Sequence, residues 1–418
     1  MRTLPFSLTC VAIGAIVFAA ARLVGNDYLF FAGYVVLQYV VLATAWNILG
    51  GYTGYVNFGS AAFFALGAYA SVFFNKTYPL PIPILIVIGA VISGFVGLGM
   101  GYLTLRLRGA FFAIATLALA VVLQTLIINW SYVGGARGAY VIRPDEIEPI
   151  GSYVQYLFLL MLALAVIALT VARTIERSRL GLGFAAIRDD ELAAEASGVP
   201  TLKLKLIATT ISGALMGMAG APFPYYIGYL QPSSAFALDY AVNSIAMPMI
   251  GGTTSWVGPL IGAVLLGSLQ QVATVTISSS VNLLIVGLLI VDCVIIAPTG
   301  ILGLIQGRRT ARDVVADPAV FALLFVVNVI PLYFLHQEAL TARPLEVIFW
   351  GVLIFLAVAR GRMIGHPWLI VLPMVGAALS IVPGPSLQWL ISALLLAICF
   401  AWGLLLRPRE DAARSGTP

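Results

Sequence analysis

Charge is what this chain of 418 residues lacks most, with only 9% of its residues Asp, Glu, Lys or Arg against about 25% in soluble domains. Such a composition cannot clothe a water-soluble globule, so soluble enzymes and nucleic-acid-binding domains are set aside at once, and no nucleic-acid partner is expected. Histidine is nearly missing: His336 and His366 stand alone and far apart, so no metal site is expected. The three cysteines, Cys10, Cys293 and Cys399, all lie within apolar segments, which indicates no disulfide framework. Lysine is confined to Lys76, Lys203 and Lys205, and none of them follows glycine. A phosphate-binding loop needs Gly-Lys followed by Ser or Thr, because backbone amides and the lysine hold the phosphates; this chain carries none. Nor does any nucleophile stand with a base in the pattern of a catalytic site, so neither catalytic residues nor cofactors are expected.

What the chain has instead is apolar length. Hydrophobic residues make up 61% of it and its mean hydropathy is +1.03. Runs of about 17–25 apolar residues, each long enough for a membrane-crossing helix, recur near 5–23, 29–50, 57–75, 81–104, 109–129, 151–172, 205–227, 239–254, 257–275 and 281–298, and again near 319–335, 345–359, 367–384 and 387–406. The expected fold is an all-α integral membrane protein, a polytopic helical bundle of about 10 core spans plus about 4 C-terminal spans. Residues 1–24 read as an N-terminal membrane anchor, although Arg2, the apolar run and Ala19–Ala21 also suit a cleaved signal peptide. With the N-terminus inside, the inner segments hold Arg2, Arg106, Arg108, Arg173, Arg177, Arg179, Arg188, Lys203, Lys205, Arg308, Arg309, Arg312, Arg360, Arg362, Arg407, Arg409 and Arg414. That leaves Arg22, Lys76, Arg137, Arg143 and Arg343 outside, the bias of the positive-inside rule.

One stretch interrupts this grease. "GGYTGYVNFGSAAFFALGAY" (50–69) sets glycines and alanines among tyrosine, threonine, asparagine and serine. Gly50, Gly51 and Gly54 permit a break in the backbone, and broken backbone is tolerated at membrane depth only where protein buries it or a cavity is lined by it. The break has two readings. In one, a discontinuous helix lies beside a translocation route and Gly51, Tyr52, Thr53, Gly54, Tyr55, Asn57 and Ser60 face that route. In the other, a tight turn on the cytoplasmic side satisfies its polar groups locally, and Ala61, Ala65, Gly67 and Ser71 then allow close helix packing. A related stretch, "GGTTSWVGPLIGA" (251–263), aligns with 50–62 and pairs Gly50 with Gly251 and Gly51 with Gly252. Gly251, Gly252, Thr253 and Thr254 therefore join the candidate pathway as a second copy of the motif.

Two loops are long enough to act. The outer one, 130–150, is a candidate contact for an extracytoplasmic protein, although Gly134, Gly135 and Gly138 equally suit simple loop shaping. In the inner one, "AAIRDDELAAEASGVP" (185–200) spells a short helix. Asp189 and Asp190 can cap it, Glu191 charges its first turn, Gly198 suits a left-handed end and Pro200 stops it. About two turns of helix do not stand alone in water, so the segment must dock either on its own membrane domain or on a partner. Asp292 is the only acid deep within a span, and a structural, protonated or hydrogen-bonded role suits it.

The inner-loop stretch "SRLGLGFAAIRDDELAAEASGV", together with "GYTGYVNFGSAAFFALGAYAS" (51–71), "LRLRGAFFAIATLALA" (105–120), "GGTTSWVGPLIGA" and "APTGILGL", resembles the LivM-type permease subunits of branched-chain amino acid ABC importers. The resemblance implies a permease domain over 25–306. Beyond it the sequence itself predicts a cytoplasmic connector at 307–318, an additional four-span membrane segment at 319–407 and a cytoplasmic tail at 408–418. The four-span segment departs from the family pattern, which ends soon after a stretch like "APTGILGLIQGRR". It further implies a sister permease subunit, two cytoplasmic ATP-binding subunits and an extracytoplasmic solute-binding protein as partners, besides membrane lipid, in a bacterial inner membrane. Carried onto this sequence, Arg188, Asp189, Asp190, Glu191, Glu195 and Gly198 form the segment that receives the ATPase stroke. The competing expectation is a secondary carrier or passive channel for a small solute, acting without nucleotide.

Overall fold

The computed structural model describes residues 3–24, 26–78, 80–104, 107, 109–143, 146–147, 151–276, 287 and 300–305. The expected span at 281–298 with Asp292 (residue 287 aside), the connector 307–318, the segment 319–407 and the tail 408–418 lie outside them. The chain divides into two compact units, Met1–Leu269 with Thr299–Leu302 and Gln270–Pro298 with Gly303–Pro418; the helices and turns described here belong to the first as far as Leu269.

Helices stand where apolar runs were expected: α1 (Thr3–Val24), α2 (Asp27–Thr53), α3 (Ser60–Thr77), α4 (Ile82–Thr104), α5 (Ala110–Ile128) and α6 (Tyr153–Glu176). A polar hairpin comes next, α7 (Arg179–Asp189) and α8 (Glu191–Ala196), and then α9 (Thr201–Gly220), the short α10 (Phe223–Ile227) and α11 (Pro232–Ala235), α12 (Leu238–Gly251) and α13 (Val257–Thr276). By length and composition, six stretches of the described residues can cross a membrane: Phe6–Leu23, Asp27–Thr53, Ile82–Thr104, Ala110–Ile128, Tyr153–Glu176 and Thr201–Ile227. The helices α3 and α12 fall outside that set, and the apolar part of α13, Val257–Gln271, is shorter. The molecule is an all-α membrane protein in which β pairing among the described residues is limited to two antiparallel ladders of two residues per strand.

Contacts fix the direction of each helix. Phe6 of α1 meets Arg173 near the end of α6, while Phe18 meets Phe158 near its start, so α1 and α6 are antiparallel. Tyr34 of α2 stacks on Tyr226, beyond the far end of α9, whereas the end of α2 reaches Arg188 in the hairpin. Hence α2 runs towards the hairpin. Gly67 of α3 abuts Gly217 of α9, with Phe63 beside Gly213, so α3 runs away from the hairpin in parallel with α9. Gly89 and Gly97 of α4 face Gly217 and Thr209 in the opposite sense. This is the alternation that the basic-residue bias demands.

Small residues hold the centre. A Cβ on Gly67 would overlap the carbonyl oxygen of Gly217, and a Cβ on Gly217 would lie 2.6 Å from that of Gly89, so α3, α4 and α9 meet backbone to backbone. Close approach of this kind stands in for the hydrophobic driving force that lipid does not provide between helices. On the opposite side of α4, Ile84, Val87, Val91, Phe95, Leu98 and Tyr102 are exposed. They recur at three- and four-residue spacing, the stripe of a helix face turned to hydrocarbon.

At the end remote from the hairpin, residues 130–143 fold back over the bundle. Ala139–Tyr140 pairs with Tyr229–Leu230, Lys76 donates to the Tyr132 carbonyl at 2.9 Å, and the Arg143 guanidinium donates to the Tyr226 carbonyl. Lys76, Arg137 and Arg143, assigned to the outside from sequence, thus gather at one end.

Candidate coupling site

The helix α2 ends at Gly54, whose left-handed backbone (φ 79°) returns its N–H to the Gly50 carbonyl at 3.1 Å, a conformation glycine adopts without steric cost. Residues 54–59 are non-helical and then α3 begins. The expected break is present, but α3 does not continue α2: it reverses direction. Of the two readings, the turn describes the chain and the discontinuous helix does not.

The turn is half sunk in protein, with Tyr55, Asn57 and Gly59 buried and Gly54 and Val56 exposed. Side chains bond three of its backbone groups. Trp46 Nε1–H donates to the Asn57 carbonyl (2.8 Å), Phe58 N–H donates to Thr116 Oγ1 (3.1 Å), and Gly59 N–H donates to Asn57 Oδ1 (2.7 Å). Each removes a penalty that an unpaired backbone group would incur away from water. Trp46 and Thr116 were invisible in the sequence as partners because they read as ordinary span residues.

The hairpin refines the expected inner helix. Residues 185–189 belong to α7, and only Asp190 is extended; its carboxylate accepts from Leu192 N–H (2.9 Å) and Ala193 N–H (3.1 Å) as the N-cap of α8. Asp189 is instead the last residue of α7 and lies 3.5 Å from the Arg188 guanidinium on the surface. Gly198 is left-handed (φ 85°) as expected, and Glu195 accepts from the Thr201 hydroxyl at 2.6 Å, closing the hairpin onto α9. Removing the cap with Asp190→Ala should destabilise α8 by about 1 kcal/mol. In hydrogen exchange, the Leu192 and Ala193 amides should then exchange about fivefold faster, with the helices of the bundle unchanged.

Hairpin and turn touch. Arg188 Nη1 donates to the Gly51 carbonyl at 3.4 Å, and a Cβ on Gly54 would stand 3.3 Å from Arg188 Cγ. Glu191 is 13% exposed and Lys205 4%, and they pair at 2.7 Å. The Tyr55 hydroxyl donates to the other Glu191 oxygen and accepts from Lys205 Nζ at 3.2 Å. Its ring lies edge-on to Phe112 of α5 at 5.1 Å. A buried ion pair must be completed by hydrogen bonds to hold its charges away from water, and Tyr55 supplies one to each partner. Residues assigned from sequence to pathway and to coupling are therefore direct neighbours.

The second glycine motif joins them. The helix α12 ends at Gly251, with Gly252 as its C-cap, and α13 starts at Val257. Both motifs are helix reversals, though not in the register of their alignment: α2 continues to Thr53, two residues beyond the counterpart of Gly252. A Cβ on Gly51 would come within 2.6 Å of the Thr253 carbonyl oxygen, so the two turns abut. Glu176, the last residue of α6, spans them: its Oε2 accepts from Trp256 N–H at 2.7 Å and from the Tyr52 hydroxyl at 3.3 Å. Sequence reasoning missed Glu176; its signal was a lone acid closing an apolar run among Arg173, Arg177 and Arg179. Thr53 bonds its own helix through the Leu49 carbonyl (2.6 Å), and Ser60 opens α3, buried. Thr254 and Gly198 are exposed, and the partners of Asp189 and Glu195 are Arg188 and Thr201.

A bundle of lipid-length helices, with a polar hairpin bonded to the turn after α2, is the frame of a multi-pass membrane protein. The chain matches the family described as the branched-chain amino acid transport system permease component over residues 28–294, and it belongs to that family. The high-affinity branched-chain amino acid transport system permease protein LivM of Salmonella typhimurium is 29% identical over 254 residues, 54% of this chain and 59% of that protein. Its Escherichia coli K12 counterpart is 28% identical over the same shares. The autoinducer 2 import system permease protein LsrC of Enterobacter sp. strain 638 is 27% identical over 204 residues, 47% of this chain and 57% of that protein. The match thus spans under two thirds of the length of these relatives. No solved structure matches the chain.

Proposed function

We propose that this chain is a permease subunit of an ATP-driven ABC importer of the bacterial cytoplasmic membrane. It forms the translocation pathway with a sister permease and takes up branched-chain amino acids or a related small polar solute. Two ATP-binding subunits dock on the hairpin side, and a solute-binding protein delivers cargo at the opposite end, where residues 130–143 lie. The observation that carries this reading is the contact of hairpin and turn through Glu191, Tyr55 and Lys205. Closure of the ATPases displaces α7 and α8. Arg188 and Glu191 transmit that displacement to the Gly51 carbonyl and to Tyr55, and the turn moves relative to α12 and α13. The turns' own polar side chains (Thr53, Asn57, Ser60, Thr253 and Thr254) are neutral, and the charges beside them, Glu176, Arg188, Glu191 and Lys205, come from other elements.

The test is uptake of labelled leucine, isoleucine and valine into proteoliposomes. Vesicles with this chain, a sister permease, ATPases and binding protein should accumulate solute only with ATP inside the ATPase compartment. Vesicles with this chain alone should not. Nucleotide-independent flux through the chain alone would make it a secondary carrier or channel.

A further inference from the structure

We infer that Glu176 is the positioning residue that makes the two glycine turns move as one body, so that a stroke delivered at the hairpin shifts both sides of the pathway. The inference rests on the transport reading proposed for this chain and deepens it.

Glu176 occupies the joint at which α6 gives way to the hairpin, three residues before α7 begins at Arg179. One oxygen, Oε2, accepts from both turns: from the side chain of Tyr52 in the last turn of α2, and from the backbone of Trp256 just before α13. A carboxylate accepts such bonds with roughly twice the strength of a neutral acceptor, and Tyr52 is buried, so water competes poorly for its hydroxyl. One turn earlier on α6, the buried Arg173 guanidinium lies 5.7 Å from the Trp256 ring and 3.8 Å from that of Phe6. Two residues of α6 thus hold Trp256, one by its backbone and the other by its ring. The hairpin has its own grip on the first turn through Arg188 and Glu191, and the end of α6 holds the second through Glu176 and Arg173. Motion at the hairpin joint therefore reaches the second turn through the Gly51–Thr253 packing, the Arg173–Trp256 contact and Glu176, and of these Glu176 is the residue hydrogen-bonded to both turns.

Complexes carrying Glu176→Ala, Glu176→Gln or Tyr52→Phe are reconstituted with the partner subunits, and ATP hydrolysis and leucine uptake are measured together. A structural role lowers both in proportion to the folded complex; the positioning role lowers uptake per ATP hydrolysed. Glu176→Ala should cut that ratio about tenfold, the loss expected when a hydrogen bond to a charged group is removed. Tyr52→Phe should cut it less and add nothing in the double variant, because both remove one contact, and Glu176→Gln should restore part of it. Should Glu176→Ala yield no complex, Tyr52→Phe and Glu176→Gln decide the matter between them. A wild-type ratio in these variants, with the wild type itself ATP-dependent, overturns the clamp alone. Nucleotide-independent uptake by the wild-type complex overturns the transport reading and the clamp together.

Discussion

Replacing Lys205 with alanine should abolish uptake and destabilise the assembled protein by about 3 kcal/mol, because it strands the Glu191 carboxylate in a nearly dry site. The pair is closed on all sides that matter: Glu191 receives Lys205 Nζ on one oxygen and the Tyr55 hydroxyl on the other, with side-chain exposures of 13% for Glu191 and 4% for Lys205. Breaking a buried pair costs more than the pair contributes, since the survivor keeps its desolvation penalty. The double variant Lys205→Met with Glu191→Leu should therefore melt closer to wild type than either single change. Transport should not return with stability, because Tyr55 loses its acceptor on α8 and the hairpin its hold on the turn. Thermal unfolding in detergent and ATP-driven uptake in proteoliposomes separate the two effects. A double variant that transports normally would show that the pair serves stability alone.

Gly251→Ala should be the most damaging single-methyl addition in the described bundle. Its Cβ would overlap the carbonyl oxygen of Gly258 and lie 2.9 Å from Gly262 N. Gly258 and Gly262 press in turn against the carbonyls of Gly252 and Met247, so α12 and α13 touch backbone to backbone and no side chain can rotate away. Overpacking of this kind costs about 3 kcal/mol or more when the obstacle cannot yield. The expected result is loss of properly assembled protein, read as a collapse in yield and a melting temperature lowered by several degrees. Gly99→Ala, where a Cβ would meet nothing within 4 Å, is the control and should stay within about 0.5 kcal/mol of wild type.

The elements were legible in the sequence because membrane thickness imposes one length on every crossing. Apolar runs at 81–104 and 109–129 foretold α4 and α5 nearly to the residue. Local stop signals were legible too, as Asp190 and Gly198 show, since caps depend on near neighbours. The course of the chain beyond a break was not. Gly50, Gly51 and Gly54 allow either a continued or a reversed helix, and the reversal is fixed by partners far along the chain: Tyr55 meets a lysine 150 residues away and Tyr52 a glutamate 124 residues away. Lys205 and Glu176 sit at helix ends where a charge is ordinary in a membrane protein. Nothing in their neighbours marks them as the residues that bind the turns together.

The central claim is that movement of the hairpin becomes movement of the buried turn by direct contact. Hydrogen exchange of the peptide covering 54–59 tests it, in the full complex with and without a non-hydrolysable ATP analogue. In the wild type, nucleotide should change protection both in α7–α8 and at the Phe58 and Gly59 amides, and Lys205→Met with Glu191→Leu should abolish the second change while leaving the first. Protection that shifts in the hairpin of the wild type but never at 54–59 would contradict the claim.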